Sequence, residues 1–190
     1  MKANMWRQED LFSFDMSNTC CKWLASDPLI LDTETTGLDE NAEIAELAVV
    51  NVNGEKLVDT LIKPLNPIPE EVSLIHGISN EMVNDAPNWR DVWLEIAPLL
   101  TGRLILAYNA SFDSRILEQS CRLYRLPEPS FDWRCVMQMY KDHTGNHKFI
   151  RLSKAASECQ IAIPATIHRA LADTLLCLGI VQHIGTGKTA

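Results

Sequence analysis

A short apolar strand that runs into two closely spaced carboxylates constrains this chain more than any other part of its sequence. Leu29, Ile30 and Leu31 form the apolar run of a strand in the centre of a sheet. Asp32 and Glu34 follow two residues apart, a spacing that places both side chains on one face of an extended backbone. Two like charges held side by side repel, so positive charge between them would stabilise the pair. Oxygen ligands of this kind favour Mg²⁺ or Mn²⁺, although two acids at a strand end can also be simply solvated.

Length and composition are those of one ordinary globular domain. The chain has 190 residues, of which 46% are hydrophobic and 22% charged. This is enough for one buried core and short for two. No apolar run approaches the length of a membrane span, and the first 18 residues lack the apolar core of a secretory signal. We therefore expect a cytoplasmic protein with no membrane partner.

The cysteines and the net charge disfavour several other classes of protein. The six cysteines show neither a C-x-x-C pair nor the histidine spacing of a zinc site, so we expect reduced and mostly buried thiols. A redox role stays open for the adjacent Cys20 and Cys21. The formal charge of −8 disfavours a protein that holds nucleic acid on a broad basic surface. It is compatible with a nuclease whose own acids are neutralised by bound metal.

The order of the predicted elements indicates a mixed sheet flanked by helices. Strands are predicted from Leu29 and over residues 43–52, 56–63, 104–108 and 131–136, with the first three as an antiparallel meander. Helices are predicted over residues 70–75, from Ser79, over 88–100, 109–126, 137–144 and 152–159, and from residue 168 or 169 onwards. We divide the chain into an N-terminal arm (1–27), one domain (28–184) and a C-terminal tail (185–190).

Two further acids and a histidine lie where such a fold can bring them to the same place. Asp113 follows the fourth strand, and Asp173 lies in the last helix, five residues after His168. Each has a simpler explanation, with Asp113 as a helix N-terminal charge, Asp173 on a solvated face and His168 at the surface. Their joint occurrence with Asp32 and Glu34 favours one shared site.

Three motifs carry a resemblance to a known family. They are Asp32-Thr-Glu-Thr-Thr-Gly-Leu38, Tyr108-Asn-Ala-Ser-Phe-Asp113 and His168-Arg-Ala-Leu-Ala-Asp173, with His76-Gly-Ile78 and a helix from Arg151 between them. In order, spacing and context they resemble the DnaQ-like (DEDDh) exonucleases, a family that includes proofreading exonuclease subunits, RNase T and oligoribonuclease. The resemblance covers residues 29–184 and implies an α/β, RNase H-like fold with a mixed five-stranded sheet.

The resemblance also implies the chemistry, which is metal-dependent hydrolysis from the 3′ end with release of nucleoside 5′-monophosphates. Asp32 would bridge two divalent cations, Mg²⁺ or Mn²⁺, that stabilise the attacking and leaving oxygens. Glu34 and Asp173 would bind one of these ions, and Asp113 would hold the other through water. His168 would be the general base, a role that suits a side chain titrating near neutral pH.

Other residues are expected to contact the substrate. By the same resemblance, the pocket for the terminal nucleotide would include Thr35, Thr36, Gly37, Leu38, His76 and Asn109. His76 is equally well explained as a turn histidine, and Asn109 as a helix cap. A cationic cluster that includes Lys148 and Arg151 would steer the phosphate backbone, or it is a solvated helix face.

The N-terminal arm contains a peptide of a different kind. Gln8-Glu-Asp-Leu-Phe12 resembles the Q-x-x-L-F peptides by which bacterial replication and repair proteins dock on the sliding clamp. Gln8, Leu11 and Phe12 are therefore candidate clamp-binding residues. A polar arm that tucks Leu11 and Phe12 against the domain explains the same sequence equally well.

Together these features predict a 3′-to-5′ exonuclease that acts on single-stranded or frayed DNA in replication or repair. The same chemistry on RNA stays open, because recognition of the 2′-hydroxyl depends on the shape of the pocket. A catalytically silent adaptor that binds a clamp through the arm is a third alternative. The five intact catalytic positions disfavour it.

Overall fold

The fold is a five-stranded sheet with helices on both faces, seen in a computed structural model that describes residues 16–127, 130–164 and 168–187. The strands are β1 (Leu29–Thr35), β2 (Ile44–Val50), β3 (Lys56–Leu61), β4 (Leu104–Ala107) and β5 (Asp132–Cys135). The helices are α1 (Met16–Ala25), α2 (Glu70–His76), α3 (Asn80–Val83), α4 (Trp89–Leu100), α5 (Ala110–Leu123), α6 (Val136–Thr144), α7 (Leu152–Glu158) and α8 (Ala170–Thr186).

The sheet has the mixed arrangement that the sequence predicts. Its strand order is β3-β2-β1-β4-β5, with β1, β2 and β3 antiparallel and with β4 and β5 parallel to β1. The predicted turn between β2 and β3 is present, since the Gly54 N–H donates to the Asn51 carbonyl at 3.0 Å. Gly54 takes a φ of 77°, which explains the glycine in this turn.

β1 occupies the centre of the sheet because both of its faces are apolar at the start. Leu29 and Leu31 pack into a core formed with α4 and α5 on one face. Ile30 packs into a second core on the other face, formed with α6, α7 and α8. The central strand therefore carries Asp32 and Glu34 outward between two helical layers.

The first described residues form a helix that the sequence does not reveal. Residues 16–25, assigned above to the N-terminal arm, form α1, which packs against α8 and buries Cys20 completely. The tail boundary at residue 185 also differs, because α8 continues through Thr186. The candidate clamp peptide, with its residues Gln8, Leu11 and Phe12, lies outside the described residues.

The cysteines are in the state expected from the sequence. All six are reduced thiols, and four of them are buried. The described part of the chain contains no helix that combines the length and the apolar character needed to cross a bilayer.

The contact between α1 and α8 depends on a glycine, which gives a stability prediction. A Cβ atom on Gly185 would lie 3.2 Å from the Cβ of Cys20 and 3.3 Å from the backbone nitrogen of Cys21. We expect Gly185→Val to lower the free energy of unfolding in urea by about 1–3 kcal/mol, because its methyl groups must push the helices apart. Thr186→Ser, in the same turn, keeps the hydroxyl that donates to the Gln182 carbonyl at 2.7 Å, so it is the control, with an expected change below about 0.5 kcal/mol. Equal effects of the two substitutions would contradict this close contact.

Candidate active site

Three carboxylates from two elements meet beside the central strand. One oxygen from each of Asp32, Glu34 and Asp173 lies within 4.8 Å of the other two. Asp32 and Glu34 share a face of β1 because one residue separates them. Asp173 reaches them from the first turn of α8, which packs on β1 and β2. The structure thus brings together acids that lie about 140 residues apart in the sequence.

Asp113 is a fourth, fully enclosed acid next to this group. It lies in the first turn of α5 and is only 3% exposed. Its Oδ1 accepts a hydrogen bond of 2.9 Å from Thr33 Oγ1. Its negative charge raises the pKa of Asp32 more than the charge of any other neighbour does. Asp113 therefore belongs to the same electrostatic cluster, although it is not one of the three acids within 4.8 Å.

The four acids resist ionising together. Removal from water raises the pKa of Asp32 well above its ordinary value, and repulsion from Asp113, Glu34 and Asp173 raises it further. Burial, followed by repulsion from Asp173, raises the pKa of Glu34 to about 8. Burial also raises the pKa of Asp113 to about 7 and that of Asp173 above its ordinary range. Such a cluster is stabilised by positive charge placed between its members.

His168 stands at the mouth of the site, in the turn that leads into α8. Its backbone has a φ of 65°, in the left-handed region that residues other than glycine seldom adopt. The side chain is exposed, and the backbone N–H donates a hydrogen bond to the Asp173 carboxylate. The helix itself begins at Ala170, two residues after the earlier of the two predicted starts. His168 is therefore free of the helical backbone while it remains beside Asp173.

A groove opens from His168 across the surface. It has a volume of about 680 Å³, and its walls include Asn109, Phe149, Arg151, Ser153, His168 and Asp173. Arg151 of the predicted cationic cluster thus lines the same groove as Asp173, whereas Lys148 is exposed and is not one of the described residues that line it. Asn109 also lines it, and its side chain makes no capping bond to α5, contrary to the alternative raised from the sequence.

The threonine hydroxyls in the turn after β1 form hydrogen bonds with nearby backbone groups. Thr35 Oγ1 donates to the Gly37 carbonyl at 2.7 Å, and Thr36 Oγ1 accepts from the Glu43 N–H at 2.9 Å. Both threonines are buried, whereas the side chain of Leu38 is 79% exposed. Of the predicted pocket residues in this turn, Leu38 is the one that projects from the surface.

His76 supports this turn from α2. Its Nδ1 accepts from the Ile78 N–H at 3.0 Å, which leaves Nε2 to donate to the Thr35 carbonyl at 3.2 Å. The ring is buried, and burial lowers its pKa. Both nitrogens are therefore engaged with backbone, as in the turn-histidine interpretation, and His76 supports the turn after β1 through Thr35.

The sequence does not reveal an ion pair beside His168 that joins a buried glutamate to a partly exposed arginine. Arg169 Nε lies 3.0 Å from both carboxylate oxygens of Glu46, and Arg169 Nη2 also donates to Glu46 Oε1. Glu46 is 2% exposed, and its Oε2 accepts from the Ala170 N–H at 2.9 Å. This bond satisfies one of the free amides at the start of α8. Glu46 also lies opposite Glu34 in the pairing of β1 with β2, so the ion pair borders the acid cluster.

One sequence signal for this pair exists. Glu46 is the only charged residue in β2, whose seven positions are all buried. A buried acid requires a partner. That the partner is Arg169 follows only from the packing of α8, because 122 residues separate the two in the sequence.

The chain is similar to known exonucleases along its whole described domain. The RNase T exonuclease family model matches residues 29–181. An uncharacterized exonuclease, CP81, of Escherichia phage 186 is 36% identical over 92% of this chain and 96% of its own length. Exodeoxyribonuclease 10 of Escherichia coli K12 is 31% identical over 82% of this chain and 67% of its own length. DNA polymerase III subunit epsilon of Treponema pallidum is 29% identical over 77% of this chain and 71% of its own.

Solved structures agree with the sequence comparisons. Exonuclease X in complex with 5′ overhanging duplex DNA is 30% identical, has a TM-score of 0.62 and is matched over 85% of this chain and 94% of that one. The nuclease domain of 3′hExo, a DEDDh family member bound to rAMP, has a TM-score of 0.70 over 85% of this chain and 93% of that one. At 20% identity the second likeness shows the fold alone.

These comparisons confirm the DnaQ-like resemblance and the RNase H-like fold. The family match begins at the strand that carries Asp32 and Glu34 and extends through most of the helix that carries Asp173. Because it therefore includes every element that contributes an acid to the site, the chain belongs to the RNase T exonuclease family, and it is an exonuclease.

Proposed function

We propose that this exonuclease is a divalent-metal-dependent enzyme that hydrolyses DNA from the 3′ end of single-stranded or frayed strands and releases nucleoside 5′-monophosphates. The observation that carries the proposal is the convergence of Asp32, Glu34 and Asp173 within 4.8 Å. DNA is favoured over RNA because relatives include exodeoxyribonuclease 10 and a DNA polymerase III subunit, which also suggests a role in replication or repair. The 3′ polarity is taken from the likeness of the three motifs to DnaQ-like enzymes.

The residues present fit two hard divalent cations, Mg²⁺ or Mn²⁺. Carboxylate oxygens are the ligands that these ions prefer, and the charges of Asp113, Glu34 and Asp173 all raise the pKa of Asp32 here. Asp32 lies close to Glu34 and Asp173, and Asp113 is the neighbour whose charge raises its pKa most, so we assign Asp32 to both ions. Glu34 and Asp173 would complete one ion site, and Asp113 would serve the other. When bound, such ions stabilise the attacking and leaving oxygens of the displacement.

His168 is proposed to take the proton from the attacking water. Its exposed ring stands at the edge of the groove, where a water beside the acids is within its reach. Imidazole is the side chain best suited to proton transfer near neutral pH. The charge of His168 lowers the pKa of Asp173, so the two side chains lie close enough to interact. Leu38 and Asn109, at the turn and the groove, are proposed to contact the terminal nucleotide.

A nuclease assay tests the proposal directly. With Mg²⁺ we expect stepwise shortening of a 5′-labelled single-stranded DNA, little activity on the matching RNA, and none in chelator. Asp32→Asn should abolish the activity, and His168→Gln should lower kcat by about 10²–10⁴-fold because the proton acceptor is lost. His143→Gln, an exposed histidine at the end of α6, is the control and should retain full activity. Survival of both substrates in Mg²⁺ and in Mn²⁺ would contradict the proposal and favour a non-catalytic adaptor.

The raised carboxyl pKa values predict how stability depends on pH without metal. The folded pKa of Glu34, about 8, and that of Asp113, about 7, exceed the ordinary values of 4.5 and 3.8. Their contribution to stability is therefore fully present below about pH 4 and is lost as the pH rises through about 7 to 8. In chelator we expect the Tm to fall between about pH 5 and pH 8, and Mg²⁺ to raise it more at pH 8.

A substitution in the cluster distinguishes its effect on the Tm from the effect of the other acidic residues of the chain. Glu34→Gln should flatten both the pH dependence of the Tm and the response to Mg²⁺. Glu95→Gln, an exposed glutamate on α4, should leave both unchanged. A Tm that rises with pH in chelator would show that the acids are not forced together as described.

We also propose that the Glu46–Arg169 pair positions His168 and Asp173. Arg169 directly follows His168, and the Glu46 carboxylate binds both Arg169 and the first amide of α8. Glu46→Gln keeps the size of the side chain but removes its charge, so we expect kcat to fall by about 10–100-fold with little change in KM. The apparent affinity for Mg²⁺ should weaken in the same variant.

Glu43→Gln is the matched control for loss of stability alone. Glu43 is 3% exposed, and its carboxylate accepts from the backbone amides of Leu65 and Asn66, in a different loop. We expect this variant to unfold more easily but to keep its kcat within about twofold. Equal losses of kcat in the two variants would contradict the positioning role of Glu46.

A further inference from the structure

Phe149 is a large aromatic side chain that lies exposed in the groove beside the acid cluster. It is 58% exposed, and it lines the groove that also contains His168 and Asp173. The other large hydrophobic side chains that are exposed in the described residues are Leu, Ile or Met, scattered over several elements. An exposed phenylalanine at this place has no role in the cores or in the metal chemistry proposed above.

The segment that carries Phe149 is held to the body of the protein. The Tyr108 hydroxyl donates to the carbonyl of Ile150, the next residue, at 2.7 Å. Tyr108 is 7% exposed and directly follows β4, so it ties the segment to the central sheet. The position of Phe149 is thus fixed relative to β1 and its acids, although its ring is exposed.

Lys141 orients the ring. Its Nζ lies 4.8 Å from the centre of the Phe149 ring, within the range of a cation–π interaction. Lys141 belongs to the last turn of α6, so the contact joins the helix to the segment that follows it. An ammonium group on an aromatic ring restrains the ring while more than half of the residue remains open.

An oriented, exposed aromatic ring beside a cation is the arrangement that binds unpaired nucleobases. Every base has a π-face, so stacking on such a ring is tolerant of sequence. Arg151, two residues further on, lines the same groove and supplies positive charge for a phosphate. Bases inside a duplex have both faces covered by their neighbours, whereas an unpaired base has a face free for the ring.

We infer that Phe149, oriented by Lys141, is a stacking platform for an unpaired base of the substrate strand and gives this enzyme a preference for single-stranded ends. The inference rests on the proposed nuclease function and extends it to the strand beyond the reacting phosphate. Arg151 contacts a phosphate of the same strand in this arrangement.

The test compares substrates that do and do not reach the platform. They are a 5′-labelled single-stranded DNA of 20 nucleotides, its blunt duplex, and the p-nitrophenyl ester of thymidine 5′-monophosphate. For Phe149→Ala we expect KM for the single strand to rise by about 5- to 150-fold, the range for loss of one base–aromatic stack. Kinetics on the small ester and on the duplex should change by less than about twofold. Phe149→Trp should keep the wild-type KM, and so should Leu94→Ala, an exposed apolar control on α4.

The affinity for single-stranded DNA can also be measured in a protein that has no nuclease activity. Fluorescence anisotropy with labelled single-stranded DNA in Ca²⁺ should show the same 5- to 150-fold weakening in Phe149→Ala. An unchanged affinity and KM in this variant would overturn the inference. An equal loss on the ester would also overturn it, because Phe149 would then support the site rather than bind the strand. A wild-type protein that is inactive on DNA and RNA contradicts the proposed function, and the binding ratio alone then decides the role of Phe149.

Discussion

The repulsion among four carboxylates held out of water is the interaction on which the rest of this structure depends. Asp32 lies in the central strand, and the first turns of α5 and α8 bring Asp113 and Asp173 towards it from the two helical layers. Burial raises the pKa of all four acids, and repulsion within the cluster raises the pKa of Asp32 and Glu34 further. The two apolar cores supply the stability that holds these acids together, and we propose that divalent cations relieve the repulsion.

The Glu46–Arg169 pair explains how the positive charge of an arginine can lie beside the acid cluster without taking the place of a metal ion. A free arginine would compete with a metal ion for the acids. Arg169 is instead engaged by both oxygens of Glu46, so its attraction for Glu34 is offset by repulsion from Glu46. The pair anchors the start of α8 through the Ala170 N–H, and we propose that it thereby positions His168 and Asp173. In this proposal the Glu46–Arg169 pair sets the geometry of the site, and the four acids attract the cations.

What the sequence predicts, and what it does not, follows from the range of the interactions. Backbone periodicity and helix capping are local, so the sequence predicts the strands, most helix bounds and the shared face of Asp32 and Glu34. The roles of Asp113 and Asp173 at the site are predicted from the family resemblance of the motifs that contain them. Helix α1 cannot be predicted in this way, since its buried face forms only by packing on the distant helices α6 and α8. The left-handed φ of His168 and the exposure of Phe149 likewise depend on packing by distant residues.

The central claim is that the four acids bind a pair of divalent cations. Counting Mn²⁺ ions bound per chain, by the electron paramagnetic resonance signal of the free ion, tests it most directly. The wild-type protein should bind two ions at neutral pH, and Asp32→Asn should bind none tightly, because Asp32 is assigned to both. A wild-type protein that binds no Mn²⁺, or binding that survives Asp32→Asn unchanged, would contradict the role given to this cluster.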